Sequence, residues 1–144
     1  MCDQFDDLYV ICNDPRHNIW GNIKRKLMKP GDREKSTFIG LYGGPIPLAY
    51  PEDLGDEYRC LVKQIRFAIK TFGIKRIIFV GHDCGYYRNI LRAVTVQIKK
   101  QDLKTVAKTS RQQFRNVETI VYFADGHGAN FDFEKITKET LQTV

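Results

Sequence analysis

Residues able to bind metal stand at the ends of two apolar runs. Ile77-Ile78-Phe79-Val80 stops at Gly81 and is followed by His82, Asp83 and Cys84, while Asp7 to Cys12 (DLYVIC) runs into Asn13-Asp14-Pro15-Arg16. A buried strand that ends in such side chains places them at the carboxyl end of a sheet, where open α/β folds put their sites. If the two strands are parallel neighbours, their ends lie about 5 Å apart, and Cys12, His82 and Cys84 share one small volume. Two thiolates and one imidazole suit Zn²⁺ and leave its fourth position to water. That water would then have a pKa of about 7 and supply hydroxide at physiological pH. Asp14 lies two residues past Cys12. It can accept a hydrogen bond from the hydroxide, or swing onto the metal and block it. Arg16 can hold the carboxylate with a fork of N–H bonds and so decide between those states.

Taken singly, each residue has a plainer explanation. A buried cysteine is usually a small hydrophobe. Asp14 and Arg16 make a serviceable structural ion pair on a loop, and Asp83 suits the cap of a following helix. His17 and His127 read as surface or tail histidines, Cys2 and Cys60 as inert thiols, and Tyr86 and Tyr87 as pocket lining or core. The joint pattern is what points to a metal.

The elements that position these residues follow from periodicity. DLYVIC is the first strand, and Pro15 stops it because proline cannot continue a central ladder. Ile19, Trp20, Ile23 and Leu27 predict a short helix within Asn18–Met28, with Pro30-Gly31-Asp32 as the turn beyond it. Ser36 to Tyr42 is a second strand, stopped by Gly43-Gly44-Pro45. Pro51-Glu52-Asp53 opens the clearest helix, with Tyr58, Leu61, Val62, Ile65, Ala68, Ile69 and Phe72 on one stripe and Gly73 as its C-cap. The strand Arg76–Val80 follows within three residues, the tight αβ connection of a parallel sheet. Tyr87, Ile90, Leu91, Val94 and Ile98 predict one further helical stripe. Leu103, Val106, Ala107, Ser110 and Phe114 predict another, with Asp102 as its N-cap. Glu118 to Ala124 is a fourth strand and Asp125–Gly128 a turn, after which Phe131, Phe133 and Ile136 dock the tail. This order predicts an α/β layered fold with a mainly parallel sheet flanked by helices.

The chain has 144 residues, enough for one domain with a real core and too few for two. No apolar run approaches the length of a membrane span, and the acidic start lacks a signal-peptide pattern, so the expected compartment is the cytoplasm. Four cysteines are too sparse for a disulfide framework. Lys and Arg total 23 against 17 Asp and Glu, a net +6, which favours anions. The basic runs Lys24–Lys35 (Lys24, Arg25, Lys26, Lys29, Arg33, Lys35) and Lys99–Arg115 (Lys99, Lys100, Lys104, Lys108, Arg111, Arg115) read first as solvated faces. Nucleic acid and membrane are not expected partners.

Cys12-x-Asp14-x-Arg16, followed after a strand–helix–strand by Val80-Gly81-His82-Asp83-Cys84-Gly85, resembles the β-class carbonic anhydrases. The likeness runs from about Asp7 through the Asp53–Phe72 helix to the late strand and tail. It implies a three-layer α/β domain over residues 1–144, with a four-stranded sheet in the order 2-1-3-4. It also implies Cys12, His82 and Cys84 as zinc ligands, Asp14 and Arg16 as the catalytic dyad, CO₂ and bicarbonate as substrate and product, and a homodimer or larger homo-oligomer. The chain departs from the family in its His-x-Cys spacing, one residue shorter than the usual His-x-x-Cys. With the first strand so near its start, no N-terminal helical arm is expected, and Gln4 is out of clear register with a family glutamine before the first cysteine. Two other readings stay open. One is the same zinc site acting on carbonyl sulfide or carbon disulfide. The other is a non-catalytic binding protein that keeps the fold.

Overall fold

The computed structural model describes residues 4–83, 96–127 and 130–137. They form β1 (Asp7–Cys12), α1 (Ile19–Lys26), β2 (Ser36–Leu41), α2 (Gly55–Phe72), β3 (Arg76–His82), α3 (Val96–Gln113), β4 (Glu118–His127) and β5 (Asn130–Lys135). The strands make one sheet in the order β2-β1-β3-β4-β5. The first four are parallel, and β5 is antiparallel to β4.

Alternation along the strands divides the interior into two cores. Leu8, Val10, Ile77, Phe79, Val121 and Phe123 face α2 and α3, which contribute Leu61, Ile65, Leu103 and Val106. Tyr9, Ile11, Ile78, Val80 and Ala124 face the other way, onto Ile19 and Ile23 of α1 and Phe131 of β5. The result is the expected sandwich of helix, sheet and helix. Each buried Leu, Ile or Phe contributes about 1.5–3 kcal/mol, so the strands are held chiefly by what they cover.

Register matters here because a slip of one residue would exchange the faces of a strand. Asp7 and Arg76 are opposite one another in the β1–β3 ladder. Arg76 donates from Nε to Asp7 Oδ1 at 2.6 Å and from Nη2 to Oδ2 at 3.2 Å. This fork pins the two site-bearing strands at their amino ends, and the ladder then runs to Val10 opposite Phe79.

Four features differ from the sequence-based expectation. First, α2 begins at Gly55, two residues past Pro51-Glu52-Asp53, with Leu54 at its cap. It ends as expected on Gly73, at φ +70° with its N–H on the Ile69 carbonyl. Second, Asp102 is not an N-cap. It lies inside α3, and its Oδ2 accepts from the Tyr50 hydroxyl at 2.7 Å. Third, the tail does more than dock, since Asn130–Lys135 adds a fifth strand. Of the turn expected at Asp125–Gly128, residues 125–127 belong to β4, which continues to His127, and Gly128 lies outside the described residues. Fourth, β3 runs on to His82, so the imidazole belongs to the strand itself. The stripe Tyr87, Ile90, Leu91 and Val94 lies outside the described residues, and Ile98 is an exposed position of α3. Among the described residues no helix is long and apolar enough to cross a membrane.

Candidate metal and catalytic site

Cys12 closes β1 and is buried. The Gly43-Gly44 turn after β2 wraps it, and the Gly43 N–H donates to Cys12 Sγ at 3.3 Å. Gly44 sits at φ +56°, and a Cβ there would lie 2.9 Å from the Cys12 nitrogen and 3.0 Å from the Ile11 carbonyl carbon. Only glycine lets the turn come this close. An N–H aimed at sulfur favours the thiolate, the form that binds metal.

Asp14 follows on the next turn and is buried against Arg16, whose own side chain is exposed. Three donors converge on one carboxylate. Arg16 N and Nε reach Oδ1 at 3.0 Å each, and Nη2 reaches Oδ2 at 2.7 Å. These bonds hold the Asp14 carboxyl well below the usual carboxylate range, outweighing the opposite effect of burial. Asp14 is therefore an ionised acceptor with a fixed orientation.

His82 closes β3 and is buried. Its ring packs edge-on to His17 (centroids 5.4 Å apart) and to Phe131 (6.2 Å), and His17 itself rests on Phe131 at 5.5 Å. Burial, and secondarily His17, depress the His82 pKa from 6.5 to about 4, against the opposing pull of Asp14 and Asp83. The ring is neutral at physiological pH. Its Nε2 is buried and has no hydrogen-bond partner among the described residues. An orphaned, buried ring nitrogen of this kind needs an explanation, and a metal ion is one that suits a neutral imidazole.

Cys12 shares the α2/α3 face with Leu8 and Val10, while His82 shares the α1/β5 face with Ile78 and Val80. The two candidate ligands thus reach the end of the sheet from opposite faces, on adjacent strands. Cys84, the expected third ligand, lies outside the described residues, as do Tyr86 and Tyr87. Among the described residues no group of three His, Cys, Asp or Glu side chains forms a metal cage. The donor types still fit zinc: a cysteine sulfur with an N–H donor, a neutral imidazole with an unclaimed nitrogen, and a locked carboxylate beside them.

Two expectations are corrected here. His17 is only partly exposed and is more than a surface histidine. The chain turns after Pro15, with His17 N–H on the Asp14 carbonyl at 3.1 Å, and this brings the ring back against His82. Lys99 is not on a solvated face either. It is buried, with Nζ 2.5 Å from Asp83 Oδ1. Asp83 therefore faces an ammonium group, whatever it does for the segment that follows. Lys104, Lys108, Arg111 and Arg115 do lie together, lining an open groove of about 700 Å³ with Ile136. Cys60 is exposed.

No protein-family model matches the chain, and no curated protein matches it in sequence. Solved structures do match. A carbonic anhydrase from Streptococcus mutans superposes with a TM-score of 0.59 at 12% identity, over 95% of this chain and 86% of that one. One of two tetrameric β-carbonic anhydrases from the filamentous ascomycete Sordaria macrospora gives 0.54 at 16%, over 90% and 80%. The β-carbonic anhydrase CafA of the fungal pathogen Aspergillus fumigatus gives 0.50 at 14%, over 94% and 77%. The chain has the fold of these proteins.

Proposed function

We propose that this chain is a zinc enzyme that hydrates carbon dioxide to bicarbonate, with Cys12, His82 and Cys84 holding the metal and Asp14 and Arg16 directing the reaction. The observation that carries this reading is the caged Asp14 carboxylate, one turn past Cys12 and electrostatically coupled to a buried His82 with an unclaimed ring nitrogen. The fold shared with carbonic anhydrases supports it.

Zinc, when bound, supplies acidification of a water to a pKa of about 7. The protein's part is orientation. Ionised Asp14 can only accept, so it takes the O–H of the nucleophilic oxygen and leaves a lone pair toward the carbon of CO₂. Arg16 occupies both Asp14 oxygens and keeps the carboxylate from swinging inward. The neutral ring of His82 and the N–H-supported sulfur of Cys12 hold their places at the strand ends. Water and CO₂ become bicarbonate and one proton, which passes to buffer. We read the working unit as one domain per chain in a homodimer or larger homo-oligomer, a reading supported by the single sheet and by the tetramers of the Sordaria proteins.

The test is elemental analysis of the purified full chain together with stopped-flow CO₂ hydration. Zinc and hydration should both be present, and Cys12→Ser should remove both. Asp14→Ala should keep zinc and lose about 10–100-fold in rate. Zinc-loaded protein without hydration, or protein that takes up no zinc, would refute the reading.

A further inference from the structure

Gly81 carries no side chain, and a Cβ there would stand 2.7 Å from Leu103 Cδ2. Helix α3 therefore lies hard against the end of β3. Lys99 is one helical turn before Leu103, so the same close approach carries its side chain inward, to 2% exposure. Its Nζ reaches Asp83 Oδ1. Lys99 and Asp102 also line one void of about 10 Å³ at the Gly81–His82 end of β3, with Ile46, Leu103 and Phe123, about the space of a single water.

An ammonium at this depth is costly, and an apolar side chain of the same length would fill the space at no electrostatic penalty. Only the ammonium is buried, since the Asp83 side chain is 36% exposed; ion pairs that bury a charge seldom add net stability, and their best-attested use is to fix one arrangement over others. What this pair fixes is plain from the sequence. Asp83 is the single residue between His82 and Cys84, so a clamp on Asp83 acts on the corner that carries two of the three candidate ligands.

We propose that Lys99 is a positioning residue, holding Asp83 from α3 and thereby setting how the His82 imidazole is presented at the end of the sheet. The consequence for metal affinity rests on the zinc reading above. The orientation of the ring does not, because the metal-free protein has it too.

The variants are Lys99→Met, matched in length and uncharged, and Asp83→Asn, which keeps an oxygen in reach of the ammonium. Each is examined without metal by the ¹H–¹⁵N ring resonances of His82, and with Co²⁺ by its absorption. Urea unfolding serves as the control for stability. In Lys99→Met we expect cooperative unfolding, displaced His82 ring resonances, and Co²⁺ affinity lower by about 10–100-fold. Asp83→Asn should displace the same resonances by less, and it decides the matter should Lys99→Met fail to fold. Ring resonances and Co²⁺ affinity unchanged in a folded variant would overturn the proposal. A wild-type chain that takes up no Co²⁺ would count against the zinc reading alone, and the ring resonances would still settle the role of Lys99.

Discussion

Replacing Gly44 with alanine should damage the protein in a way that replacing Gly73 does not. Both glycines have left-handed backbones, at φ +56° and +70°. An L-residue forced into that region costs about 1–2 kcal/mol, and both variants incur this. Only Gly44 is crowded. Its added Cβ would meet the Cys12 nitrogen at 2.9 Å and the Ile11 carbonyl carbon at 3.0 Å, whereas a Cβ on Gly73 meets nothing within 4 Å. The obstacle is backbone at the end of an interior strand, paired on both sides, and cannot rotate away, so overpacking adds about 1–3 kcal/mol. The expected losses are about 2–5 kcal/mol for Gly44→Ala and about 1–2 kcal/mol for Gly73→Ala. Urea unfolding followed by circular dichroism reads both, provided the m-value is unchanged. Equal losses in the two variants would refute the argument, because they would show that the β2 turn does not press on Cys12.

Phe79, fully buried between β3 and the α2/α3 layer, should cost about 3–5 kcal/mol on replacement by alanine, read as a lower urea midpoint. His82 makes the stability of the metal-free protein depend on pH. Its folded pKa is about 4 against 6.5, so the unfolded chain binds the extra proton first. The contribution is complete above pH 6.5 and is lost as pH falls toward 4. Between pH 7 and pH 5 the metal-free wild type should lose about 2 kcal/mol more than His82→Gln. Parallel pH curves for the two proteins would contradict the burial of the ring.

Much of the architecture is legible because the chain states it locally. DLYVIC and Ile77–Val80 are unbroken apolar runs flanked by turn residues, and the stripe from Leu61 to Ala68 has helical period and a glycine stop. The caged carboxylate is legible for the same reason, since Asp14 and Arg16 are near neighbours and need no tertiary information to meet. What escapes the sequence depends on approach between distant segments. Lys99 looks like one more cation on a basic helix until Gly81 is seen to let that helix sink onto β3. His17 looks like a polar loop residue until Phe131, arriving on β5, gives its ring a surface to rest on. Asp102 precedes a clear apolar stripe and resembles a cap, but α3 begins at Val96, so there is no helix start at Asp102 to cap.

The last strand has a consequence for how the molecule comes together. Phe131 shields His82 and His17, and its own backbone is gripped from α1, where Lys26 donates to its carbonyl from 105 residues away and Asn22 accepts from its N–H. Contacts spanning so much chain form late and slowly. On a ribosome, strands one to three can associate while the histidine at the end of the third is still wet. That side chain enters its dry surroundings only once β5 has been made and has closed over it, so the shielding of the site comes late in folding.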